Sequence, residues 1–538
     1  MKKLALSLAW CLWAGCPALS VAADARVDFD VLEFVIEGNT VLPGDVVEKA
    51  VTPYMGPGKT FKDIEAAREA LEKAYQDAGF LSVVVSLPNQ RINAGEVRLE
   101  VTEASVERLN IAGATYHLPS KLREQVPSLA AGKTPYFPEV QQELGRLQSA
   151  DVQVTPLIAA GAEPDKIQVD LKVQDSLPWH GSLEVNSGQS FNTTQGRVLA
   201  ALSYGNLFQL GHRISLSWQY APMRPGDANS LSLIYSVPLN WRDELIASVS
   251  DSQSDTPIST GSGGSTLTQG NTFGLRWQRE LDALNWPVRH NVFAAIDYKN
   301  NQDKTGITAE LSSDKPALKY TVLSAGYSLS WLGSEDRTVG VSTSVAASSE
   351  SLSGREVDCD GRRLDQFECK RQGASPDFMV WKAGLDYHGP VWRGWRINAS
   401  GDAQISSGPL ASGEQYTLGG HNTVRGYYDA EQSGDWGWAA RLELESPPWL
   451  AWGSWRSTGL AFFDRGFVLL KEPQAGQTAR VHLASHGLGW RLDNGQGLQV
   501  SADVAMPIHE TSRPADSGGH EVATRREPHW YLSIRQAY

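Results

Sequence analysis

The sequence predicts two small α+β domains, each with the order strand–helix–helix–strand–strand, followed by a 16-stranded antiparallel transmembrane β-barrel. Three observations support this fold class. The chain starts with a predicted export signal, and its expected mature part has no run approaching the roughly 20 apolar residues of a membrane helix. The region before about residue 175 carries an internal near-repeat. The region after it alternates apolar and polar residues, as membrane strands do.

Residues 1–23 are predicted to form a signal peptide. Two lysines and an apolar stretch precede Val21-Ala22-Ala23, which fits a signal peptidase site. A lipoprotein alternative at Cys16 fits less well, because its neighbours Trp13 and Pro17 suit a lipidation site poorly. The mature chain is therefore expected to be exported.

The composition restricts the classes of function. The 538 residues include 50 Gly and 18 Trp, 20% are charged, and the net charge is −13. Nucleic acid is not an expected partner, because binding it calls for a basic stripe. Once Cys11 and Cys16 leave with the signal, Cys359 and Cys369 remain, and they are expected to form a disulfide that closes a polar surface loop. Two thiols without a nearby histidine are too few for a metal site, and no cofactor is predicted.

The two amino-terminal domains are predicted at residues 24–105 and 106–174. The Gly-Lys-Thr sequence at 58–60 recurs at 132–134, and a Leu-Pro pair repeats at nearly the same distance. Such self-similarity indicates two copies of one structural unit.

Within the first copy, the pattern predicts a strand at 32–37, a helix from Thr60 to Gly79, and strands at 81–87 and 96–101. Helices on one face of so small a sheet leave an edge strand free. An extended peptide can join such an edge by β-augmentation, although a spacer module that binds nothing has the same fold. The sequence leaves both alternatives open.

Residues 175–538 are predicted to form the barrel. Between Arg213 and Tyr220, apolar and polar side chains alternate, as in a strand with one face in lipid and the other in water. A soluble sandwich alternates too, but aromatic residues at strand ends and the export signal favour a barrel. The predicted strands start near residues 180, 196, 212, 229, 242, 268, 288, 317, 337, 377, 393, 436, 456, 483, 496 and 529.

Two long hydrophilic loops interrupt the strands, at 350–376 and 405–435. The second contains Arg425 between membrane strands, where a guanidinium needs an anionic partner because it cannot lose its proton. Asp464 offers a carboxylate on a later strand, suited to a bidentate pair. Glu443 and Arg441 on the adjacent strand are possible competitors of this pair, and Glu443 stays open as a second acceptor. An exposed arginine in an ordinary loop is the simpler alternative, and it would contribute well under about 1 kcal/mol.

The first domain resembles a known family. Gly79-Phe80-Leu81, the following Leu-Pro-Asn-Gln at 87–90 and Gly95-Glu96-Val97 are similar to the POTRA (polypeptide-transport-associated) domains of two-partner secretion translocators, the ShlB/FhaC/HecB-like or TpsB family. These are outer-membrane pores that each export a large partner protein.

The long loop and a later strand carry the resemblance into the barrel. Val424-Arg425-Gly426-Tyr427 and the pattern Phe462-x-Asp464-x-Gly466 resemble the POTRA-barrel superfamily, which contains the two-partner translocators and outer-membrane assembly factors. The resemblance implies that the loop folds back into the pore and that its tip arginine meets the aspartate on the inner wall. The arginine would then act as a latch.

The resemblance also implies a location and partners. The barrel is expected in the outer membrane of a Gram-negative bacterium, with the POTRA domains in the periplasm. The expected partners are a secreted exoprotein of the adhesin or cytolysin class, outer-membrane lipid and, during biogenesis, the barrel-assembly machinery and periplasmic chaperones. The terminal aromatic Tyr538 resembles the signal which that machinery recognises.

Three alternatives remain at this stage. An insertase of the same superfamily is expected to have more POTRA domains and a weak seam between the first and last strands. A passive porin has no need of two peptide-binding domains. An enzyme should show a constellation of acid, base or nucleophile, and the sequence offers none, so no catalysis is predicted. Residues 24–30 are too short and charged for the plug helix of some relatives, so the pore either closes by the loop alone or leaks ions.

Overall fold

The computed structural model describes residues 29–538 except 93–94, 164, 192, 253–257, 261–263, 267–268, 282–287, 303–315, 360, 474–476 and 515–519. The predicted signal peptide and the lipidation alternative lie outside the described residues. The chain divides into two compact units between Leu177 and Pro178. Among the helices that are described, none is long and apolar enough to cross a membrane.

The first unit consists of short strands and helices. In chain order they are β1 (Phe29–Val31), β2 (Glu33–Glu37), α1 (Gly44–Val51), β3 (Gly56–Lys59), α2 (Phe61–Asp77), β4 (Val83–Ser86), β5 (Glu96–Glu103), β6 (Ser105–Ala112), α3 (Pro119–Glu124), α4 (Phe137–Leu147), β7 (Val152–Ala160) and β8 (Lys166–Asp175).

Two three-stranded sheets of the same topology, together with a separate β1–β3 pair, make up the described part of this unit. Their strand orders are β2-β5-β4 and β6-β8-β7. In each sheet the first strand pairs in parallel with the central one, and the other outer strand pairs with it antiparallel. Separate buried apolar clusters lie around Leu71 in the first copy and Val169 in the second. Because each small sheet can bury one face only, both copies cover that face with helices.

The same backbone device recurs in both copies. Gly38 and Gly113 follow the first strand with φ of +89° and +91°, and a Cβ on either would lie 2.3 or 2.4 Å from a carbonyl oxygen of the central strand. Only glycine permits this approach at positive φ. At the end of the central strand, Glu103 in the first copy and Asp175 in the second accept hydrogen bonds from the backbone N–H groups that precede the next helix.

The second unit is built mainly from strands. In chain order its elements are β9 (Trp179–Asn186), β10 (Arg197–Leu207), β11 (His212–Tyr220), β12 (Asn229–Pro238), β13 (Asp243–Ser252), β14 (Ile258–Thr260), β15 (Gly264–Thr266), β16 (Gln269–Glu280), β17 (Val288–Gln302), β18 (Leu318–Leu332), β19 (Thr338–Ser348), α5 (Glu350–Ser353), β20 (Glu356–Cys359), β21 (Arg362–Asp365), α6 (Gln366–Lys370), β22 (Phe378–Trp392), β23 (Trp395–Ser406), β24 (Tyr416–Leu418), β25 (Gln432–Gly434), β26 (Trp436–Glu445), β27 (Leu450–Trp452), β28 (Trp455–Leu469), β29 (Arg480–Asp493), β30 (Leu498–Pro507), β31 (Thr511–Pro514), β32 (His520–Thr524) and β33 (His529–Ala537).

Sixteen antiparallel spans of the described chain close into a barrel, which confirms the predicted architecture. Their order is β9-β10-β11-β12-β13-β16-β17-β18-β19-β22-β23-β26-β28-β29-β30-β33, and β33 returns to β9. Strand β27 continues the span of β26 along β28. In the described part of the connecting loops there are four small hairpins: β14–β15, β20–β21, β24–β25 and β31–β32. All four leave from the barrel end at which β9 finishes and β33 begins, which is termed the loop end.

The two faces of the barrel differ in polarity. On β11 and β12, Leu216, Trp218, Leu231 and Leu233 are each at least 40% exposed. Side chains on the alternate positions, such as Ser232, instead line a large internal cavity. Apolar side chains on the outside and polar ones inside are what a barrel in lipid requires. The cavity is termed the lumen.

Two loop assignments need correction. Strand β23 extends to Ser406, so the loop predicted at 405–435 occupies residues 407–435, termed here the lumen loop. Within it, β24 and β25 pair with each other. The stretch predicted as a loop at 350–376 contains α5, the β20–β21 hairpin and α6. Elements of three to five residues are too short to give a periodic signal in the sequence.

Candidate functional site

The lumen loop carries Arg425 to the inner wall of the barrel. The side chain is fully buried. Its Nε donates to Asp464 Oδ2 at 2.7 Å and its Nη2 donates to Asp464 Oδ1 at 2.8 Å, so the pair is bidentate. The backbone N–H of Arg425 also donates to Oδ2 at 3.2 Å. Asp464 lies on β28 and is itself fully buried, so this contact joins two groups that have lost all water.

Arg425 also contacts the second acceptor that the sequence left open. Its Nη1 donates to Glu443 Oε1 on β26 at 2.7 Å. A third carboxylate, Asp503 on β30, lies 3.7 Å from the same nitrogen. Sequence reasoning missed Asp503, although it falls on the lumen face of a strand whose other face is apolar. The guanidinium therefore lies between acids from three strands.

The acids around Arg425 have further cationic partners. Arg441 Nη2 lies 3.4 Å from Glu443, and Arg491 Nη2 donates to Asp503 at 2.9 Å. Three guanidinium groups thus face three carboxylates in the lumen. A balanced network of this kind leaves no unpaired charge while the loop is in place, but removal of Arg425 would leave Asp464 uncompensated.

The neighbours of Asp464 on β28 shape the contact. The ring of Phe462 lies against the guanidinium, with its centroid 3.5 Å from Arg425 Cζ, a cation–π geometry. At Gly466, a Cβ would lie 2.4 Å from a methyl group of Leu418 in the lumen loop. The glycine of the Phe462-x-Asp464-x-Gly466 pattern therefore makes room for the loop.

The rest of the loop tip is equally enclosed. Gly426 has φ of +91°, a conformation that glycine adopts without strain. Val424 and Tyr427 are buried in an apolar cluster with residues of β24, β26, β28 and β29. The Tyr427 hydroxyl lies 3.0 Å from the carbonyl oxygens of both Ala484 and His509. The structure thus brings together all the residues of the two sequence motifs.

Two further ion pairs among the described residues hold the ends of the lumen loop, and neither pair was predicted from the sequence. Near its start, Glu414 is bound by Lys299 on β17 and accepts a hydrogen bond from the Tyr320 hydroxyl on β18 at 2.7 Å. At the end of the loop, both terminal nitrogens of Arg371 donate hydrogen bonds to the Asp435 carboxylate. Asp435 also accepts from the backbone N–H groups of Leu410 and Lys471, at 2.8 and 2.7 Å.

The cysteine pair lies beside this last contact. Cys359 and Cys369 form a disulfide between β20 and α6. Helix α6 buries Phe367 against Leu318, Tyr320 and other inward residues at the loop end of the barrel. Arg371 follows α6 directly, so the disulfide-closed loop is tied to the lumen loop through Arg371 and Asp435.

The fold and this site define a class of protein: an outer-membrane β-barrel transporter with POTRA-type amino-terminal domains and an anchored loop in its lumen. Residues 165–492, more than half of the chain, match the family described as haemolysin secretion/activation protein ShlB/FhaC/HecB, and residues 29–104 match the ShlB-type POTRA domain. The chain belongs to this family of two-partner secretion translocators.

Individual relatives agree with this assignment. The chain is 25% identical over 438 residues to the outer membrane transporter CdiB of Escherichia coli, covering 77% of this chain and 68% of the relative. It is 19% identical over 504 residues to the heme/hemopexin transporter protein HuxB of Haemophilus influenzae, covering 90% and 84%. The solved structure of CdiB from Escherichia coli superposes with a TM-score of 0.67 at 19% identity, covering 97% of this chain and 93% of that one. This likeness shows the same fold.

Proposed function

We propose that the protein exports one large partner exoprotein, of the adhesin or cytolysin class, from the periplasm to the cell surface. The amino-terminal domains would capture the unfolded partner, and the barrel would pass it outward. No enzymatic step and no cofactor are part of this proposal. Folding of the partner outside the cell would give the transport its direction.

The observation that carries the proposal is the way in which the lumen loop is held. Arg425 is bound by side chains of Asp464 and Glu443 rather than by a strand ladder. Contacts between side chains can be broken and remade without disrupting the barrel, whose backbone bonds run between neighbouring strands. A loop held in this way suits a pore that must close at rest and open for a chain.

Capture of the partner is supported by the free edges of the two small sheets. Strand β4 is an outer strand of the first sheet, and Val84 on it is 55% exposed. Strand β7 is an outer strand of the second, with Leu157 and Ile158 exposed at 43% and 46%. An extended segment of an exoprotein could add to such an edge through backbone hydrogen bonds. Which of these edges takes part is open to experiment.

Biogenesis supplies the remaining proposed partners. The exposed side chains Trp530, Leu532 and Ile534 of β33 would face outer-membrane lipid, and Tyr538 adds an exposed aromatic ring directly after this strand. We expect the barrel-assembly machinery and periplasmic chaperones to act on this segment before insertion.

A secretion assay tests the proposed function. In a strain lacking the gene, one large exoprotein should disappear from the culture supernatant and return with the wild-type chain. Arg425→Ala should restore little or none of it while still giving a folded barrel in the outer membrane. Arg363→Ala is the control, because Arg363 is an exposed arginine of the β20–β21 hairpin and lies outside the charge network around Arg425. Normal export by Arg425→Ala would overturn the latch.

An insertase is the second candidate, and one observation favours it. The ladder between β9 and β33 has five paired positions, whereas β9 and β10 pair over eight. A short seam is what a barrel that opens sideways would need. Depletion of many barrel proteins, rather than of one exoprotein, in the deletion strain would support this candidate.

A crosslink across the seam separates the two candidates. Ser182 and Ala537 face each other there. Their neighbours Gly181 and Tyr538 exchange both backbone hydrogen bonds, so 182 and 537 form the non-bonded type of pair, with Cα atoms about 4.5 Å apart, within disulfide range. With cysteines at both positions, a translocator should keep exporting after oxidation. An insertase should lose its activity. The single Ser182→Cys variant is the control.

A further inference from the structure

The seam between the first and last strands stops short of the loop end. Its five ladder positions run from Ser182 opposite Ala537 to Asn186 opposite Ser533. One further link follows, in which the Ser187 N–H donates to the Leu532 carbonyl at 2.9 Å. Beyond it, the described ladder does not join residues 188–191 to residues 529–531. Among neighbouring spans of the described barrel this pairing is the shortest.

The tip of the lumen loop occupies the place where the ladder ends. The ring of Tyr428 lies between Phe191, just after β9, and His529, the first residue of β33. The ring centroids are 5.6 Å and 5.8 Å apart, and both pairs meet edge to face. Edge-to-face contacts between aromatic rings contribute beyond the area that they bury. One loop side chain thus touches both sides of the seam.

Hydrogen bonds attach the same segment to β33 and to the residues that follow β9. On the β9 side, the Asp429 N–H donates to the Gln189 carbonyl at 2.9 Å, and Asp429 forms an isolated parallel bridge with Ser190. On the β33 side, the Tyr531 hydroxyl accepts from the Gly426 N–H at 2.8 Å and donates to the Tyr427 carbonyl at 2.9 Å. One hydroxyl therefore fixes both sides of the turn at Gly426.

We propose that residues 426–429 of the lumen loop form a staple that closes the seam from inside, and that Tyr531 is its positioning residue on the last strand. Arg425 holds the staple in place through β26 and β28, and the four residues after it bridge β33 to β9. Withdrawal of the loop tip from the lumen would then also release the loop end of the seam. This inference concerns the resting barrel and does not depend on what is exported.

The staple predicts that two similar hydroxyl deletions act differently on the seam. Tyr531→Phe removes the two hydrogen bonds at the tip and keeps the ring. Tyr320→Phe is the matched control, since it also removes a hydroxyl that binds the lumen loop, at Glu414, but on β18, away from the seam. Amide hydrogen exchange of the full-length protein in lipid nanodiscs reports on β9 and β33 directly.

We expect Tyr531→Phe to speed exchange of the β9 and β33 amides near the loop end by about tenfold, as the loss of one or two hydrogen bonds implies. Tyr320→Phe should leave them within about twofold of wild type. Unchanged seam exchange in Tyr531→Phe, or an equal increase in Tyr320→Phe, would overturn the staple.

A second pair of variants tests the aromatic bridge. Tyr428→Ala removes the ring between Phe191 and His529 and should also speed exchange at the seam, whereas Tyr428→Phe keeps the ring and should resemble wild type. Both variants should retain exchange protection on β18 and β19, which shows that the barrel is folded. Equal seam exchange in the two variants would show that the bridge does not hold the strands together.

Discussion

The central contact of this protein is one arginine surrounded by acids. A buried guanidinium without partners would be strongly destabilising, and it cannot escape by losing its proton. The lumen supplies Asp464 as a bidentate acceptor, Glu443 as a second acceptor, and Asp503 at 3.7 Å. The bonds are unequal, because Asp464 accepts three hydrogen bonds from Arg425 and is fully buried, whereas Glu443 accepts one and is partly exposed.

This inequality predicts different costs for the two acceptors. Asp464→Asn should lower the free energy of unfolding of the barrel by about 3–5 kcal/mol, the range for breaking a buried pair. Glu443→Gln should lower it by about 1–2 kcal/mol, because it weakens one charged hydrogen bond at a site that retains some water. Urea unfolding of the barrel in lipid vesicles measures both. Equal losses would show that the arginine is shared evenly.

At this scale the sequence identified the residues through their motifs but not all of their contacts. Asp464 was predicted as the partner of Arg425, with Glu443 left open, and both contacts are present. Asp503, Arg371 and Tyr531 were not predicted. Each becomes a neighbour of the loop only through strand register and the path of a loop, which a single sequence does not fix.

Among the elements, the two amino-terminal copies use a carboxylate in the same place. Burial of Asp175 opposes its ionisation, but the N–H groups of Thr115, Tyr116 and His117 outweigh this, so the pKa of Asp175 is lowered from its ordinary value of 3.8. Because the pKa of Asp175 is lower in the folded state than in the unfolded state, its ionised form stabilises the domain at any pH above the unfolded-state pKa. This stabilisation is lost as the pH falls through the folded-state pKa. The second copy should therefore loosen below about pH 4.

Substitution of Asp175 tests whether its carboxylate holds the segment before α3. Asp175→Asn should destabilise the segment before α3 by about 1–3 kcal/mol at neutral pH, because hydrogen bonds to an ionised acceptor are lost. Exchange of the amides at 115–117 in the full chain measures the effect. Asp170→Asn, an exposed acid on the same strand, is the control. A variant as protected as wild type at pH 7 would contradict the assignment.

At the loop end of the barrel, the lumen loop and the disulfide-closed loop contact each other. Asp435 at the end of the lumen loop is fully buried. Its carboxylate pairs with Arg371 from the disulfide-closed loop and accepts hydrogen bonds from two backbone N–H groups.

The alternation of side chains predicted the barrel strands to within about three residues of their observed starts. This alternation did not predict the ion pair between Arg371 and Asp435, because the pair joins two loops that have no periodic pattern.

The tie predicts a change in conductance. Arg371→Ala should detach the disulfide-closed loop from the lumen loop and raise the mean conductance of single pores in planar bilayers. The buried Asp435 would lose its cation, which costs several kcal/mol and favours solvation of the loop. Arg363→Ala, an exposed arginine of the β20–β21 hairpin, should leave conductance unchanged. If both variants conduct like wild type, the loops do not limit the pore.

For the whole molecule, chain connectivity joins the two proposed activities. The first unit ends at Leu177, and only Pro178 separates it from β9, the strand that pairs with β33 at the seam. The strand that follows the amino-terminal domains therefore leads directly into residues 189–191, which the lumen loop contacts. The order of the domains and strands was visible in the sequence. The contact of the lumen loop with this seam was not, because β33 pairs with β9 only in the folded barrel.

Deletion of residues 29–104 separates capture from conduction. The deletion removes the first copy and stops before β6, which begins at Ser105. The second copy keeps its own apolar cluster apart from Ala104, so it should remain folded, although Tyr136 loses its ring contact with Phe80. The sixteen spans are untouched. We therefore expect a barrel that inserts and conducts in planar bilayers like the full chain but exports no exoprotein. Undiminished export would assign the first domain the role of a spacer, and loss of conductance would show that the barrel needs this domain to form.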